Sequence, residues 1–483
     1  MIVSIKSGKI RGIKEKGMIA FKGIPFGEAP VGELRFQPPV PAKDWEGILE
    51  ADKYGSKALQ AEEHGHEKEY GFSEDCLNLN VWMPDTKEEK RPVIFFIHGG
   101  GHIGGSNGDT FLDGPNLIRG REAVMVSVNY RLGAFGYLYL GDILGEEYKN
   151  SGNCGLLDQL LALRWVRDNI EAFGGDPNMV TLMGQSAGGK SVANIMASPH
   201  SKGLYHRAII QSGALQSIRD THTATELTKI VLKKLDIENS PKDILTKTGE
   251  EIIEAQKKAF EDMDSIHLFG PVADGHTLPY DVEEYFEKGN VTHIPTLIGY
   301  NKEENCGFQC EGNIEEQIIE NIKKLHGVYW EPVYELYKEY KKSNLQEAAY
   351  DKARTTSVYG NATMRLTKLL AMSNNPVWSY RWDYGGLSGN AHHCCELDYV
   401  FNRFLDEEEK DHLVLDKTIG MTMNEIWMSF ILTGNPNNKY VIEWKPCSSE
   451  EAGYRMYFDK EFHLESYSLT SFYKELPLQV IKL

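Results

Sequence analysis

The chain has 483 residues, of which 41% are hydrophobic and 25% are charged, an ordinary composition for a globular protein with a sizeable core. Its formal net charge of −18 argues against nucleic-acid binding, which needs a clustered basic surface, and weakly disfavours a strongly anionic substrate. The chain contains no uninterrupted run of roughly 18 apolar residues, so we expect no membrane span.

The start of the chain and its cysteines indicate where the protein is found in the cell. The first residues, MIVSIKSGKIRG, lack the apolar centre of a secretory signal and alternate like a β-strand. The seven cysteines are scattered, form no CxxC pair and are odd in number. Cys394 and Cys395 are adjacent, and adjacent cysteines seldom bridge. We therefore expect a cytoplasmic protein with reduced cysteines.

Short runs that are apolar on both faces recur along the chain and predict buried parallel strands. Between them, the segment 156–173 carries apolar residues at a helical period. Strands that alternate with helices indicate an α/β fold, in which a large, mostly parallel sheet has helices on both faces. The predicted strands are VIFFI (93–97), AVMVSV (123–128), MVTLM (179–183), RAII (207–210) and PTLIG (295–299).

Two regions, at about 220–288 and 314–372, are more polar and mostly helical in pattern. No linker rich in Pro, Gly and Ser, no internal repeat and no low-complexity tract divides the chain. We therefore expect a single domain over residues 1–483, in which these two regions are helical insertions that pack over the top of the sheet and cover the active site.

The pentapeptide GQSAG, residues 184–188, is the first candidate catalytic motif. It lies between the predicted strand MVTLM and the helical pattern SVANIMAS, so Ser186 would stand at a sharp strand-to-helix turn. Gly184 and Gly188 remove side chains where the strand and the helix pass closest. The motif alone is weak, because chance gives on the order of 0.2 such patterns in a chain this rich in glycine. Its context makes Ser186 a candidate nucleophile.

A second glycine motif, HGGGHIGG (98–105), directly follows the predicted strand VIFFI. Acyl transfer passes through a tetrahedral oxyanion, and backbone N–H groups aimed at that oxyanion stabilise it. Gly100 and Gly101 are the expected donors, with Ala187, the residue after the candidate nucleophile, as the third. A phosphate-binding loop would need GxGxxG or GxxxxGK[ST] at the start of a helix, and no helical pattern starts at the end of this loop.

A serine hydroxyl needs a base and an acid that orients the base, and both are expected downstream in the order Ser, Asp or Glu, His. Two adjacent glutamates, Glu303 and Glu304, follow the predicted strand PTLIG, and two adjacent histidines, His392 and His393, come later. The residues alone leave the choice within each pair open, and surface charge explains either pair equally well.

Together these segments resemble those of the type B carboxylesterases, the family that includes bacterial para-nitrobenzyl esterases and the cholinesterases. The resemblance covers nearly the whole chain and implies an α/β-hydrolase fold and a serine carboxylesterase. It implies no cofactor and no metal, and a small-molecule ester substrate that is neutral or weakly charged. The matching segments include FKGIPFGEAPVGELRFQPP (21–39), SEDCLNLNVW (73–82), VNYRLGAFGYL (128–138), the stretch from Gly152 to Gly189, QSGA (211–214), IGYNKEEN (298–305), HHCCELDYVF (392–401) and WMSFILTGNPN (427–437).

The resemblance also chooses within the two pairs. In the family segment Gly-x-x-x-[Asp/Glu]-Glu the acid is the second carboxylate, which implies Glu304. In the segment His-x-x-Glu-Leu-x-Tyr-Val-Phe the base precedes the glutamate by three residues, which implies His393, because Glu396 is that glutamate. The implied reaction is ester hydrolysis through an acyl-enzyme on Ser186.

Further implied features are two structural ion pairs, Arg35 with Glu74 and Arg131 with Asp158. Ser212 is implied as a hydroxyl near the triad.

The chain also departs from the family pattern. Cholinesterases have a glutamate before the nucleophile, where this chain has Gln185, and a choline-binding tryptophan in a loop that here, at residues 60–75, contains none. A choline ester is therefore not expected as the substrate. His102 replaces the usual aromatic residue after the three glycines, and we expect His102, Gln185 and Ser212 to line the substrate pocket. The usual disulfide of this loop is expected to be absent, because Ala58 stands where the partner of Cys76 would be.

Two alternatives to a serine carboxylesterase are compatible with the sequence. A serine hydrolase of amide, carbamate or thioester bonds would use the same triad, and turnover of matched ester and amide pairs would distinguish it. A non-catalytic adhesion protein of cholinesterase type is less favoured, because such proteins typically lack the nucleophile or the histidine.

Overall fold

The structure, a computed structural model, describes residues 1–61, 70–109, 114–263, 268–309, 313–406, 414–441, 443–447, 453–469 and 476. The strands within these residues are β1 (Ile2–Ile5), β2 (Gly8–Arg11), β3 (Ile13–Glu15), β4 (Met18–Pro25), β5 (Ile48–Glu50), β6 (Lys57–Ala58), β7 (Phe72–Ser73), β8 (Asn78–Pro84), β9 (Arg91–Ile97), β10 (Val124–Val128), β11 (Gly175–Gln185), β12 (Arg207–Gln211), β13 (Thr296–Asn301), β14 (Val377–Trp382), β15 (Gly453–Phe458) and β16 (His463–Tyr467).

Helices account for much of the remaining chain, and a π-helical turn at Thr355–Gly360 joins two of them. The helices are α1 (Gly114–Ile118), α2 (Gly133–Tyr137), α3 (Gly141–Leu144), α4 (Cys154–Asn169), α5 (Ala187–Ala197), α6 (Thr221–Lys234), α7 (Gly249–Met263), α8 (Val282–Glu287), α9 (Ile314–His326), α10 (Trp330–Lys341), α11 (Gln346–Arg354), α12 (Asn361–Met372), α13 (Leu397–Val400) and α14 (Val414–Thr433).

Eleven of the described strands form one sheet in the order β16-β15-β14-β13-β12-β11-β9-β10-β8-β4-β3, while β1, β2 and β5 form a second sheet and β6 pairs with β7. The seven strands from β15 to β10 in this order pair in parallel, and the two edges are antiparallel. The five predicted strands are β9 to β13, and their parallel pairing is confirmed. The predicted helix over 156–173 is confirmed as α4 and the 3₁₀ turn that follows it.

The central strands are buried on both faces because almost every residue in them is apolar. In β9, Val93, Phe95 and Ile97 belong to the larger hydrophobic cluster, whereas Ile94 and Phe96 belong to a second cluster. Successive side chains of a strand point to opposite faces, so the two clusters lie on opposite sides of the sheet. Full burial of each such side chain stabilises the folded state by about 1.5–3 kcal/mol.

Helices cover both faces, as predicted. The helices α4 and α5 contribute Leu160 and Val192 to the first cluster, and α14 contributes Ile426 and Trp427 to the second. The predicted helical regions contain α6 to α8 and α9 to α12, respectively. Their status as insertions in a single domain stays a prediction. No helix among the described residues has the length and apolarity that a bilayer crossing needs.

Both ion pairs implied by the resemblance are present. Arg35 Nε lies 2.7 Å from Glu74 Oε2, and Arg131 Nη2 lies 2.7 Å from Asp158 Oδ1. The second pair is buried, and its carboxylate also accepts the backbone N–H of Arg131.

The expected loss of the loop disulfide is confirmed. Cys76 is buried with a free thiol, and the buried Ala58 lies at the end of β6.

Candidate active site

The turn between β11 and α5 holds Ser186 in a strained conformation. Ser186 has φ 57° and ψ −123°, a backbone conformation that residues other than glycine rarely adopt and that costs on the order of 1–3 kcal/mol. Its N–H donates to the carbonyl of Gln211 at 2.9 Å, which ties the turn to β12. The strain turns the side chain out of the strand at the carboxyl end of the parallel sheet, where polar groups converge in α/β folds.

Gly188 allows α5 to pass directly against β9. A Cβ atom added to Gly188 would lie 1.9 Å from the carbonyl oxygen of Ile97, so no side chain fits there. Within the predicted strand-to-helix turn itself, a Cβ atom added to Gly184 would lie 2.4 Å from the carbonyl of Gly188, which explains the glycine at each of these two positions.

One hydrogen-bonded chain joins the three predicted triad residues. His393 Nε2 lies 2.7 Å from Ser186 Oγ, and His393 Nδ1 lies 2.5 Å from Glu304 Oε2. The other carboxylate oxygen of Glu304 accepts the backbone N–H of Asn301 at 2.7 Å. The carboxylate is fully buried, with a side-chain exposure of 0%. A buried carboxylate on Nδ1 stabilises an imidazole whose Nε2 accepts a proton.

The neighbouring glutamate and histidine make other contacts. Glu303 accepts the backbone N–H of Ala391 at 2.9 Å, and His392 Nδ1 lies 2.8 Å from the carbonyl oxygen of His393. Glu303 and His392 also form an isolated parallel bridge. This pair therefore aligns the two loops that carry Glu304 and His393.

A second buried carboxylate supports the site and was missed by the sequence reasoning. Glu396 accepts Asn301 Nδ2 at 2.6 Å and Gln211 Nε2 at 3.3 Å. Burial, and next the charge of Glu304, raises the pKa of Glu396 to about 7. Asn301 Nδ2 also donates to the carbonyl of His392 at 2.7 Å. Asn301 thus connects β13, the loop before α13 and the backbone beside the triad.

The glycine loop that carries two of the predicted oxyanion donors passes beside Ser186. Gly100 has φ 100°, and a Cβ atom added to it would lie 2.1 Å from the carbonyl oxygen of Gly104. The carbonyl of Gly100 accepts the N–H groups of Ile103 and Gly104, both at 2.9 Å, which closes a tight turn. A Cβ atom on Gly99 would lie 3.2 Å from Ser186 Cβ, so the loop passes directly beside the serine.

The remaining donors lie at the end of the same loop and at the start of α5. Gly101 follows with φ 64°, and Ala187 is the first residue of α5. The first N–H groups of a helix have no intrahelical acceptor. No described residue accepts a hydrogen bond from the N–H groups of Gly100, Gly101 or Ala187. These three N–H groups therefore remain the predicted oxyanion donors.

Known proteins are similar to this chain over nearly its whole length. The model of the carboxylesterase family matches residues 1–474. The chain belongs to the carboxylesterase family. Para-nitrobenzyl esterase of Bacillus subtilis (strain 168) is 34% identical to it over 96% of each chain. Acetylcholinesterase of Bungarus fasciatus is 29% identical over 90% of this chain and 79% of its own.

A solved structure agrees with this relationship. The structure of a Geobacillus stearothermophilus carboxylesterase is similar with a TM-score of 0.85 and 33% identity, over 96% of this chain and 97% of the other. The α/β-hydrolase fold is therefore confirmed, and this carboxylesterase is a carboxylic-ester hydrolase. The non-catalytic adhesion protein is rejected as an alternative.

The three residues expected to line the substrate pocket of this carboxylesterase are all buried. Gln185 accepts the thiol of Cys394 at 3.2 Å, which links the residue before Ser186 to the residue after His393. Ser212 follows Gln211, and its hydroxyl has no hydrogen-bond partner among the described residues. It therefore does not bond directly to the triad. His102 packs its ring against Tyr137, with 5.0 Å between the ring centroids.

The charge state of His393 depends on opposing influences. Burial lowers the pKa of its imidazole, but the acidic groups around it, Tyr359, Cys394 and Glu304, raise that pKa by more, and it lies well above its ordinary value. The Glu304 carboxylate bonds to His393 Nδ1 at 2.5 Å, and this contact favours the imidazolium. This imidazole is therefore a strong proton acceptor.

Within the part of the chain that the structure describes, no group of three or more His, Cys, Asp or Glu side chains is arranged to hold a metal ion.

Proposed function

We propose that this carboxylesterase cleaves esters by two-step acyl transfer, with Ser186 as nucleophile, His393 as general base and Glu304 as the acid that orients the imidazole. One observation carries the proposal: the hydrogen-bond chain from Ser186 Oγ at 2.7 Å to His393 Nε2 and from Nδ1 at 2.5 Å to Glu304. Both distances are within the reach that proton transfer needs.

In the first step, Ser186 Oγ attacks the ester carbonyl while its proton passes to His393 Nε2. Negative charge develops on the carbonyl oxygen, and the N–H groups of Gly100, Gly101 and Ala187 stabilise it. Loss of one donor of this kind typically costs about 2.7–4 kcal/mol of transition-state stabilisation. His393 then gives its proton to the leaving alcohol, and the acyl group remains on Ser186.

In the second step, water attacks the acyl-enzyme by the same route. His393 accepts a proton from the water, the oxyanion forms again in the same site, and the proton returns to Ser186 as the acid product leaves. Glu304 stabilises the imidazolium in both steps without itself taking the proton. Every proton transfer is thus made by a side chain of this chain, and the products are one carboxylic acid and one alcohol.

The proposal is tested by covalent labelling. A fluorophosphonate that reacts only with activated serines should inactivate the enzyme in step with the incorporation of one equivalent of reagent. Peptide mapping by mass spectrometry should find the added mass on the peptide that contains Ser186. A fully active enzyme that takes up no reagent, or a label on another serine, would refute the proposal. A matched ester and amide pair in the same assay would decide between ester and amide hydrolysis.

The pH profile gives an independent prediction. The neutral imidazole is the base, so kcat/KM should fall as the pH falls through the pKa of His393. Because that pKa is raised, the midpoint should lie above the ordinary value of 6.5. Replacement of Glu304 by glutamine removes the negative charge, so it should move the midpoint to lower pH and reduce kcat by roughly 10³- to 10⁴-fold.

The matched control for this profile is Glu303→Gln, because Glu303 binds the backbone N–H of Ala391 and not the imidazole. Its midpoint should stay near that of the unmodified enzyme. Equal midpoints in all three proteins would show that Glu304 does not set the charge state of the base.

A further inference from the structure

The side-chain amide of Gln60 brackets the backbone of Gly105, the last residue of the glycine loop 98–105. Gln60 Oε1 accepts the N–H of Gly105 at 3.0 Å, and Gln60 Nε2 donates to the carbonyl of Gly105 at 3.1 Å. The two residues are 45 positions apart in the chain, and Gln60 is 8% exposed. One planar amide therefore satisfies both backbone polar groups of a single residue, as a neighbouring strand would.

Gln60 is itself anchored to the segment that carries it. Its Nε2 also donates to the carbonyl of Ala58, the last residue of β6, at 3.0 Å. Lys57, in the same strand, has its Nζ 3.7 Å from Asp109 Oδ1, and both side chains are 5% exposed. This buried pair joins β6 to the chain just beyond the glycine loop. The amide of Gln60 thus acts on the loop from a fixed position.

The backbone of Gly105 packs directly on the first glycines of the loop. A Cβ atom added to Gly105 would lie 2.7 Å from the carbonyl oxygen of Gly99, and one added to Gly100 would lie 3.1 Å from the nitrogen of Gly105. Backbone therefore touches backbone with no side chain between, and a shift of Gly105 would displace Gly99 and Gly100. Gly100 carries one of the predicted oxyanion donors, and Gly99 lies beside Ser186.

Other contacts support the rest of the loop. The Tyr130 hydroxyl donates to the carbonyl of His98 at 3.0 Å, and the N–H of Gly133 donates to the carbonyl of His102 at 2.7 Å. These contacts hold the start and the middle of the loop, and the Gln60 amide holds its end. Removal of this amide would release the end of the loop while the other two supports stay.

We propose that Gln60 is a positioning residue for the oxyanion hole, because its amide fixes the backbone of Gly105 against that of Gly99 and Gly100. In this arrangement the N–H of Gly100 keeps its direction while negative charge develops on the substrate oxygen. Donors that are already aligned need no rearrangement during the reaction, and this alignment is the basis of their effect. The inference rests on the proposed function, which assigns that N–H group to the oxyanion.

A residue that only stabilises the fold would behave differently from a positioning residue. Its loss would lower the melting temperature and leave kcat unchanged wherever the protein is folded. Loss of a positioning residue lowers kcat in the folded protein with little change in KM, because oxyanion donors act mainly in the transition state. The pH midpoint of kcat/KM should also stay the same, because the described bonds of Gln60 go to Ala58 and Gly105 and not to the triad.

Two substitutions of Gln60 test the inference. Gln60→Met keeps the length of the side chain and removes both bonds to Gly105. Gln60→Glu keeps the shape and an acceptor for the Gly105 N–H, but it places a carboxylate oxygen against the Gly105 carbonyl, so a loss in this variant does not come from a cavity. In each variant kcat for p-nitrophenyl butyrate should fall by about tenfold to a hundredfold, the order of loss that a misplacement of about 1 Å causes.

A tetrahedral adduct provides the readout that depends on the oxyanion. With butyl trifluoromethyl ketone, Ser186 Oγ forms a bond to the carbonyl carbon, its proton passes to His393, and the carbonyl oxygen becomes an oxyanion. The inhibition constant of this ketone should rise in the Gln60 variants by the same factor by which kcat/KM falls, because the adduct resembles the transition state.

Asn375 provides a matched control, because it is a buried amide that also brackets backbone. Its Oδ1 accepts the N–H of Ile294 at 2.8 Å, and its Nδ2 donates to the carbonyl of Val291 at 2.8 Å. Asn375 lies two residues before β14, at the amino ends of the parallel strands, whereas Ser186 follows the carboxyl end of β11. Asn375→Leu should lower the melting temperature and leave kcat, KM and the inhibition constant unchanged.

Several results would overturn the inference and leave the proposed function intact. One is an unchanged kcat and an unchanged inhibition constant in folded Gln60→Met and Gln60→Glu. Another is a rise in KM alone, because Gln60 would then act on substrate binding. An equal loss of kcat in folded Asn375→Leu would also overturn it, because any loosened loop would then have this effect.

Two further results are distinct from these. Failure of both Gln60 variants to fold would assign Gln60 to the stability of the fold and would overturn the inference as well. An unmodified enzyme that hydrolyses no ester and takes up no fluorophosphonate would instead overturn the proposed function.

Discussion

Replacement of Ser186 by alanine is expected to reduce kcat for p-nitrophenyl butyrate by roughly 10⁴- to 10⁶-fold. The variant loses the atom that carries the acyl group, so no acyl-enzyme forms and His393 has no hydroxyl to activate. The remaining activity would come from the oxyanion donors acting on a water molecule, since these donors belong to the backbone and stay in place. KM should change little, because the hydroxyl contributes mainly to the transition state.

The fold should survive this substitution. The backbone of Ser186 is held by the carbonyl of Gln211 and by the start of α5, and neither contact uses the side chain. Alanine must adopt the same positive φ of 57°, so a small loss of thermal stability is compatible with the prediction. The exposed Ser240 gives the control, because Ser240→Ala should keep full activity. Normal turnover by a folded Ser186→Ala protein would mean that another group is acylated.

The centre of the fold could be predicted because its strands are apolar on both faces. Runs such as VIFFI have no polar face, and only a parallel sheet with helices on both sides buries them completely. The edges were not predicted in the same way. In β16, His463 and Glu465 form an exposed pair, so the pattern of this strand does not differ from that of a surface loop.

The sequence alone predicts those parts of the site whose residues are neighbours in the chain. The turn of Ser186 and the glycine loop each need a special backbone within a few residues, so the residue types alone indicate them. The choice between Glu303 and Glu304 depends on which carboxylate faces His393, a contact between residues 89 apart in the chain. From the sequence, only the resemblance to a known family favours Glu304.

Glu396 could not be recognised from the sequence, because its role depends on burial. Glu396 was used only as a reference point for locating His393, and a glutamate in a sequence is normally exposed. Its burial at 0% exposure and its bonds to Asn301 and Gln211 require the folded sheet.

The two adjacent histidines offer the most direct test of the base. Replacement of His393 by alanine is expected to lower kcat by roughly 10⁴- to 10⁶-fold, about as much as loss of the serine, because the two act as a unit. Replacement of His392 by alanine should lower kcat by less than about tenfold. His392 is not the general base, so its loss does not remove the roughly 10²- to 10⁴-fold contribution that such a group makes. Steady-state turnover of p-nitrophenyl butyrate measures both.

The contacts of the two histidines explain why their replacement should affect kcat so differently. His393 bonds to Ser186 Oγ and Glu304, whereas the His392 ring bonds to the carbonyl of the residue beside it. The double variant Ser186→Ala with His393→Ala should be no less active than either single variant, because each substitution already removes the whole proton-transfer step. Additive losses would show that His393 acts on something other than the serine. If His392→Ala loses activity and His393→Ala keeps it, His392 is the base. The hydrogen bond of 2.7 Å between His393 Nε2 and Ser186 Oγ would then have no catalytic role.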